Sequence, residues 1–270
     1  MPPGEGTSAM PDAYLFDLDG TLYTDAGPVP GAVEVLASLR GTTPFRCVTN
    51  TSSRSRAAVL ERLHGYGFDL TVDEVITAVV AGASAARVRG VRRLAPFVAE
   101  AALPDLAEFE LGGGTSGRPA HERPDAVLIG DVGERWSYAL MQEAFRNVLD
   151  GAALIALSRD RYWMRRDGLA LDAGPFVVGL EYATGVTATI AGKPSPDFFH
   201  GAVRSLGIDP SARPADVIVI GDDIWTDVQG AQRAGYRGWL VQTGKYRAGA
   251  VAESGVTPDR TLTSVAELLG

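Results

Sequence analysis

The chain has 270 residues, 46% of them hydrophobic and 21% charged, with 33 acidic against 25 basic side chains and a formal net charge of −8. This composition suits a globular protein with a full apolar core, and the length suits one core plus a second, smaller unit. The acidic balance repels a nucleic-acid backbone and an anionic membrane, the one cysteine excludes an intramolecular disulfide, and no apolar run approaches the roughly 20 residues of a membrane span.

Residues 1–12 are rich in Pro and Gly, contain no apolar leader-like segment and read as a frayed tail of a cytoplasmic protein. The first strand signal is Ala13-Tyr14-Leu15-Phe16, apolar without alternation, as in a strand covered on both faces. It runs into Asp17-Leu18-Asp19-Gly20-Thr21-Leu22. Residues 31–39 place Val33, Val35, Leu36 and Leu39 on one helical face. Residues 45–49 read as the second strand, followed by Asn50, and Ser52 or Ser53 is expected to cap a helix running to about His64. Residues 72–80 hold a further strand. Residues 81–89 are helical and 94–98 strand-like, and the Gly- and Pro-rich stretch 111–124 is a loop. A strand is expected over 126–131, a helix over 137–149 with Leu140, Met141, Phe145, Val148 and Leu149 on its apolar side, a buried strand over 153–157 and a helix over 175–182. The last third reads as a helix over 196–206, a β-branched strand 217–220 ending in Gly221-Asp222-Asp223, a helix over 227–234 stopped by Gly235, a strand 238–241 and a short helix 265–269.

Strands alternating with helices predict a doubly wound, Rossmann-like α/β fold with a mostly parallel sheet. Ligands in such sheets bind beyond the carboxyl ends of the strands. Three acid- or hydroxyl-rich turns follow strand signals: residues 17–19, 49–50 and 221–223.

A carboxylate that leaves a strand into a tight turn can attack phosphorus and carry the phosphoryl group, which assigns Asp17 as nucleophile. Attack of an anion on an anion needs a local positive charge, and Mg²⁺ supplies it through oxygen ligands. The expected ligands are the side chains of Asp17 and Asp222 and the backbone carbonyl of Asp19. The Asp19 carboxyl is the general acid and base. Thr49 and Asn50 offer a hydroxyl and backbone N–H groups to phosphate oxygens, and Lys193, between stiff turn residues, balances the transferring charge. Asp223 and Asp227 are placed around this set, orienting Lys193 or metal-bound water, with one of them also capping the following helix.

In order and type these residues resemble the phosphatase motifs of the haloacid dehalogenase-like (HAD) superfamily. Asp17-Leu18-Asp19-Gly20-Thr21-Leu22 matches the first motif, Thr49-Asn50 the second, Lys193 the third, and Gly221-Asp222-Asp223 with Asp227 the fourth. The roughly 140 residues between Asn50 and Lys193 resemble the α/β cap of the NagD-type branch. The stretches Gly192-Lys193-Pro194-Ser195-Pro196-Asp197-Phe198-Phe199 and Gly230-Ala231-Gln232-Arg233 are similar to the phospholysine phosphohistidine inorganic pyrophosphate phosphatase group. The resemblance implies a catalytic core over residues 1–78 and 190–270 with an α/β cap inserted over 79–189. It also implies a small phosphorylated metabolite as partner, held by Asp17, Leu18, Asp19, Thr49, Asn50 and Lys193, and it admits a homodimer. Two other readings remain open. One is carbon–halogen hydrolysis, against which Asp19 argues, since halide leaves without an acid. The other is a binding protein without catalysis, against which the complete motif set argues.

Other residues read more plainly. Cys47 is a buried thiol, and His64, His121 and His200 lack metal-ligand spacing and are structural. Gly112-Gly113-Gly114 has no strand-to-helix context and is a loop. The basic and aromatic stretch 161–166 is a packed or solvated edge with the chemistry to touch a substrate, and Ser52 and Arg54 follow Thr49-Asn50 closely enough to reach one.

Overall fold

The computed structural model describes residues 11–165, 168–210 and 216–270. In chain order its strands are β1 (Ala13–Asp17), β2 (Tyr23–Thr24), β3 (Gly27–Pro28), β4 (Phe45–Thr49), β5 (Val75–Thr77), β6 (Arg93–Phe97), β7 (Glu110–Leu111), β8 (Ala126–Ile129), β9 (Ala153–Ala156), β10 (Tyr162–Arg165), β11 (Gly168–Leu171), β12 (Thr189–Ile190), β13 (Val217–Gly221), β14 (Arg237–Val241) and β15 (Arg260–Leu262). Its α-helices are α1 (Ala32–Leu39), α2 (Arg56–Gly65), α3 (Ala78–Val88), α4 (Tyr138–Leu149), α5 (Gly174–Thr184), α6 (Pro196–Arg204), α7 (Gly230–Arg233) and α8 (Ala248–Ser254).

Two larger sheets carry the fold. One runs in the order β15-β14-β13-β1-β4-β5 and the other β12-β9-β8-β6-β7. The registers between β1, β4, β13, β14 and β15 are parallel, and so are all those of the second sheet. β1 and β13 are buried at every position, which explains why both read as unbroken apolar runs rather than alternating ones. This is the expected doubly wound α/β architecture.

The chain divides into two compact units. The first takes Met1–Val48, Tyr66–Asp69 and Phe199–Gly270, and the second takes Thr49–Gly65 and Leu70–Phe198. In the first, β1 sits between β13 and β4, so the strand order reverses beside it, and that is where such sheets open a crevice at their carboxyl edge. In the second, the two-residue period of the strands sorts side chains onto two faces. Leu94, Ala126, Leu128 and Ile155 pack with Val79, Ala83 and Ala86 of α3. Ala95, Phe97, Val127, Ile129, Leu154 and Ala156 pack with Ala144 and Val148 of α4 and Val177 and Leu180 of α5. Cys47 is buried. His64, His121 and His200 each place a ring nitrogen 2.7–3.0 Å from a backbone carbonyl, of Leu70, Glu110 and Ala234.

Several expectations are corrected. Neither Ser52 nor Ser53 starts α2: it begins at Arg56, and Ser55 Oγ accepts from the Ala58 N–H at 3.2 Å. Leu149 is exposed rather than on the packed side of α4. Residues 227–234 are not one α-helix, because a π-turn over Ile224–Gln229, with Val228 N–H bonding Asp223 O, precedes a short α7. Asp12 is not frayed, since it exchanges two hydrogen bonds with Asp216. The rest of the expected tail, residues 1–10, and Arg166 lie outside the described residues. The stretch from Tyr162 forms β10 of an antiparallel ribbon with β11. No helix among the described residues is long and apolar enough to cross a membrane.

Candidate active site

Asp17 ends β1, with its side chain 5% exposed, and Thr21 Oγ1 lies 3.4 Å from its Oδ2. Asp19, two residues on, is exposed and accepts a hydrogen bond from the Tyr23 hydroxyl at 2.9 Å. Gly20 turns the chain between them and Tyr23 with φ +89°. A Cβ built there would stand 1.9 Å from Asp222 Oδ2, so only glycine lets that carboxylate lie against the β1 turn.

β13 delivers Asp222 and Asp223 from the neighbouring strand. Asp223 caps the π-turn, with Oδ1 accepting from the N–H groups of Trp225 and Thr226 at 2.9 and 3.1 Å. Its own N–H donates to Asp227 Oδ2 at 3.1 Å. The extra residue in this turn aims Asp227 back at the strand end, where Gly221 leaves the space for it. Asp17, Asp222 and Asp227 are all buried, and each offers an oxygen within 4.8 Å of the other two. Burial, followed by the charges of Asp17 and Asp227, pushes the Asp222 carboxyl up to about 8. Three buried carboxylates with oxygen-only donors fit a hard divalent cation, which relieves their mutual repulsion. The Lys245 ammonium faces the same cluster. Desolvation pulls it down, but the charges of Asp222, Asp17, Asp223 and Asp227 outweigh that and hold it above the usual lysine value.

In the second unit Thr49, at the end of β4, accepts from the Thr51 N–H through Oγ1 at 3.1 Å. Asn50 exchanges two hydrogen bonds with the backbone of Lys193: the Lys193 N–H donates to Oδ1 at 2.7 Å, and Nδ2 donates to the Lys193 carbonyl at 2.9 Å. Lys193 is 3% exposed and precedes a cis peptide bond to Pro194. Two residues separated by 143 positions are thus locked together, and the Asn50 side chain acts on the Lys193 turn. Leu18 is buried behind the β1 turn, and its carbonyl accepts from Leu22 N–H at 2.9 Å.

The geometry also draws in residues that the sequence reading passed over. Thr243 Oγ1 donates to the Gly20 carbonyl at 2.5 Å, and the Lys245 N–H donates to Asp222 Oδ2 at 2.6 Å. Their one sequence signal is position: Thr243-Gly244-Lys245 follows β14, at the carboxyl edge that carries the other turns.

Residues 14–110 match a family profile described as haloacid dehalogenase-like hydrolase, and residues 190–268 match one described as HAD-hydrolase-like. Over 237 residues the chain is 44% identical to haloacid dehalogenase-like hydrolase domain-containing protein 2 of Bos taurus, covering 87% of this chain and 86% of that one. The chain belongs to the haloacid dehalogenase-like hydrolases. This hydrolase is also 35% identical over 261 residues to the phospholysine phosphohistidine inorganic pyrophosphate phosphatase of Homo sapiens, covering 94% of this chain and 91% of that one. Among solved structures, p-nitrophenyl phosphatase from Archaeoglobus fulgidus matches with a TM-score of 0.85 at 27% identity, covering 96% and 98% of the two chains. A glycerol phosphate phosphatase from Mycobacterium tuberculosis in complex with magnesium matches with a TM-score of 0.78 at 29% identity, covering 96% and 76%. NagD from E. coli K-12, at 24% identity, a TM-score of 0.81 and coverage of 96% and 98%, shares the fold. This HAD-like hydrolase is therefore a phosphatase enzyme with a NagD-type fold.

Proposed function

We propose that this phosphatase hydrolyses small phosphate monoesters, phosphoramidates or pyrophosphate with Mg²⁺, through an aspartyl phosphate on Asp17. The observation that carries the reading is the buried trio of Asp17, Asp222 and Asp227 at the carboxyl edge of β1 and β13. Asp17 and Asp222, with the Asp19 carbonyl, are assigned to hold the ion, and Asp227 adds negative charge beside them. Bound there, Mg²⁺ supplies the neutralisation that lets an anionic nucleophile approach an anionic substrate.

Asp17 Oδ forms a bond to phosphorus as the bond to the leaving oxygen or nitrogen breaks. Asp19 gives its proton to the departing atom, then removes one from the water that attacks phosphorus and releases phosphate from the Asp17 acyl phosphate. Its exposure and the bond it accepts from the Tyr23 hydroxyl suit a carboxyl that exchanges protons twice in each turnover. Thr49, Asn50, Lys193 and the backbone at Leu18 and Asp19 are assigned to the phosphoryl oxygens by the motif order. The paired Asn50 bonds hold the Lys193 turn in one conformation. Asp223 fixes the turn that carries Asp227. Residues 79–189 are assigned as the cap that selects the leaving group. The names of the relatives support including nitrophenyl, glycerol, P–N and pyrophosphate substrates in a panel.

The test is phosphate release from p-nitrophenyl phosphate and that panel, with Mg²⁺, with chelator and with Asp17→Asn. We expect turnover that chelation removes and that Asp17→Asn lowers by about 10³-fold or more. Turnover surviving in Asp17→Asn refutes the nucleophile, and turnover surviving chelation refutes the metal.

A further inference from the structure

Asp222 Oδ2 lies between two glycine backbones that come from opposite sides of β13. Gly20 follows β1, and Gly244 follows β14. A Cβ at Gly20 would meet Asp222 Oδ2 at 1.9 Å and the Gly244 Cα at 3.0 Å. A Cβ at Gly244 would meet Asp222 Oδ2 at 2.0 Å and the Gly20 Cα at 2.4 Å. Gly244 also has φ +57°, a conformation that side chains with a Cβ rarely adopt. Its two neighbours make the hydrogen bonds. The Lys245 N–H takes Asp222 Oδ2 at 2.6 Å, and the Thr243 hydroxyl takes the Gly20 carbonyl at 2.5 Å. Neither bond serves the sheet, because β14 ends at Val241.

We propose that Thr243, Gly244 and the Lys245 amide are positioning residues that hold the Asp222 carboxylate and the turn after Asp19 in the geometry that receives the metal ion. This rests on the Mg²⁺ reading above. An amide donor on one carboxylate oxygen fixes the side-chain rotamer and favours the ionised form. The Thr243 bond fixes the turn whose preceding residue offers the Asp19 carbonyl. Through these contacts the ends of three strands are tied together: β14 by the loop, β13 by Asp222 and β1 by Gly20. The loop offers no ligand atom itself. Its effect is preorganisation, so that the ion meets groups already in place rather than groups it must order.

The test measures Mg²⁺ binding by titration calorimetry on wild type, Thr243→Val, Thr243→Ser and Gly244→Ala. Circular dichroism and the metal-free thermal midpoint of each protein report its folding. Gly244→Ala is expected to weaken Mg²⁺ binding by about tenfold or more, because the new methyl displaces Asp222 Oδ2. Thr243→Val is expected to weaken it by about threefold to tenfold, the worth of one hydrogen bond. Thr243→Ser keeps the hydroxyl and is expected to match the wild type. With Mg²⁺ below saturation, kcat for p-nitrophenyl phosphate should fall in the first two variants while KM holds. If Gly244→Ala does not fold, the Thr243 pair decides alone. Wild-type affinity in folded Thr243→Val, or equal losses in Thr243→Val and Thr243→Ser, overturns the inference while leaving the metal reading intact. A wild type that binds no divalent cation overturns both.

Discussion

In the metal-free protein Asp222 shares a buried corner with Asp17 and Asp227, and its carboxyl titrates near 8 because burial and those two charges disfavour ionisation. In the unfolded chain the same group titrates at about 4. Between those values the folded protein holds a proton that the unfolded chain releases, so the group's contribution to stability declines as pH rises through that window. The thermal midpoint of chelated protein should therefore fall between about pH 5 and about pH 8, and Asp222→Asn should flatten the fall. An equal slope in the variant would show that Asp222 is not its source. Asp17 and Asp222, which meet in the buried carboxylate trio, were legible in the sequence because each closes a strong strand signal. Thr243 and Lys245 were not, since one acts through a common hydroxyl and the other through its backbone amide. The place of Asp227 among the buried carboxylates depends on a π-turn that no periodicity announces.

Elements with strong tertiary support were legible, and those set by local chemistry were less so. β1, β13, β8 and β9 have the burial that their apolar runs suggest, whereas β7 and β12, two residues each at sheet edges, gave no strand signal. The ribbon β10–β11 was obscured by charges and aromatics that suit a solvated edge, with Tyr162, Trp163, Leu169 and Leu171 all exposed. The first turn of α2 shifted because one of several adjacent serines had to supply the hydroxyl, and spacing alone did not choose Ser55. Packing of the π-turn on β14 makes a sharper demand. A Cβ at Gly238 would stand 2.7 Å from the Val228 carbonyl oxygen and 2.8 Å from its Cα. Those are backbone atoms of the turn that carries Asp227, and they have no rotamer to adopt. Gly238→Ala is expected to destabilise the protein by about 1–3 kcal/mol by overpacking, read as a lower urea midpoint with unchanged m. An unchanged midpoint would mean that β14 and the turn can separate without cost.

At the scale of the whole chain, the assigned chemistry divides unevenly. Asp17, Asp19, Asp222, Asp223, Asp227 and the loop 243–245 all belong to the first compact unit, whereas residues 79–189 fall entirely within the second. The second unit has its own parallel sheet and apolar clusters on both faces, so it has the means to hold its shape with different side chains at its surface. The alternation of strands and helices announced both sheets. Where the two units divide was less legible, because the alternation of strand and helix signals does not change along the chain. If the catalytic carboxylates and their supports are confined to one unit, metal affinity and leaving-group choice should be separable by exchange. Replacing residues 79–189 with the corresponding segment of the Archaeoglobus fulgidus p-nitrophenyl phosphatase should move the ranking across a phosphate panel toward that enzyme's. The Mg²⁺ affinity from calorimetry should stay that of the parent, since none of the assigned ligands or their positioning residues is exchanged. A folded chimaera with the parental ranking would place specificity outside 79–189. One with altered Mg²⁺ affinity would place part of the metal site inside it.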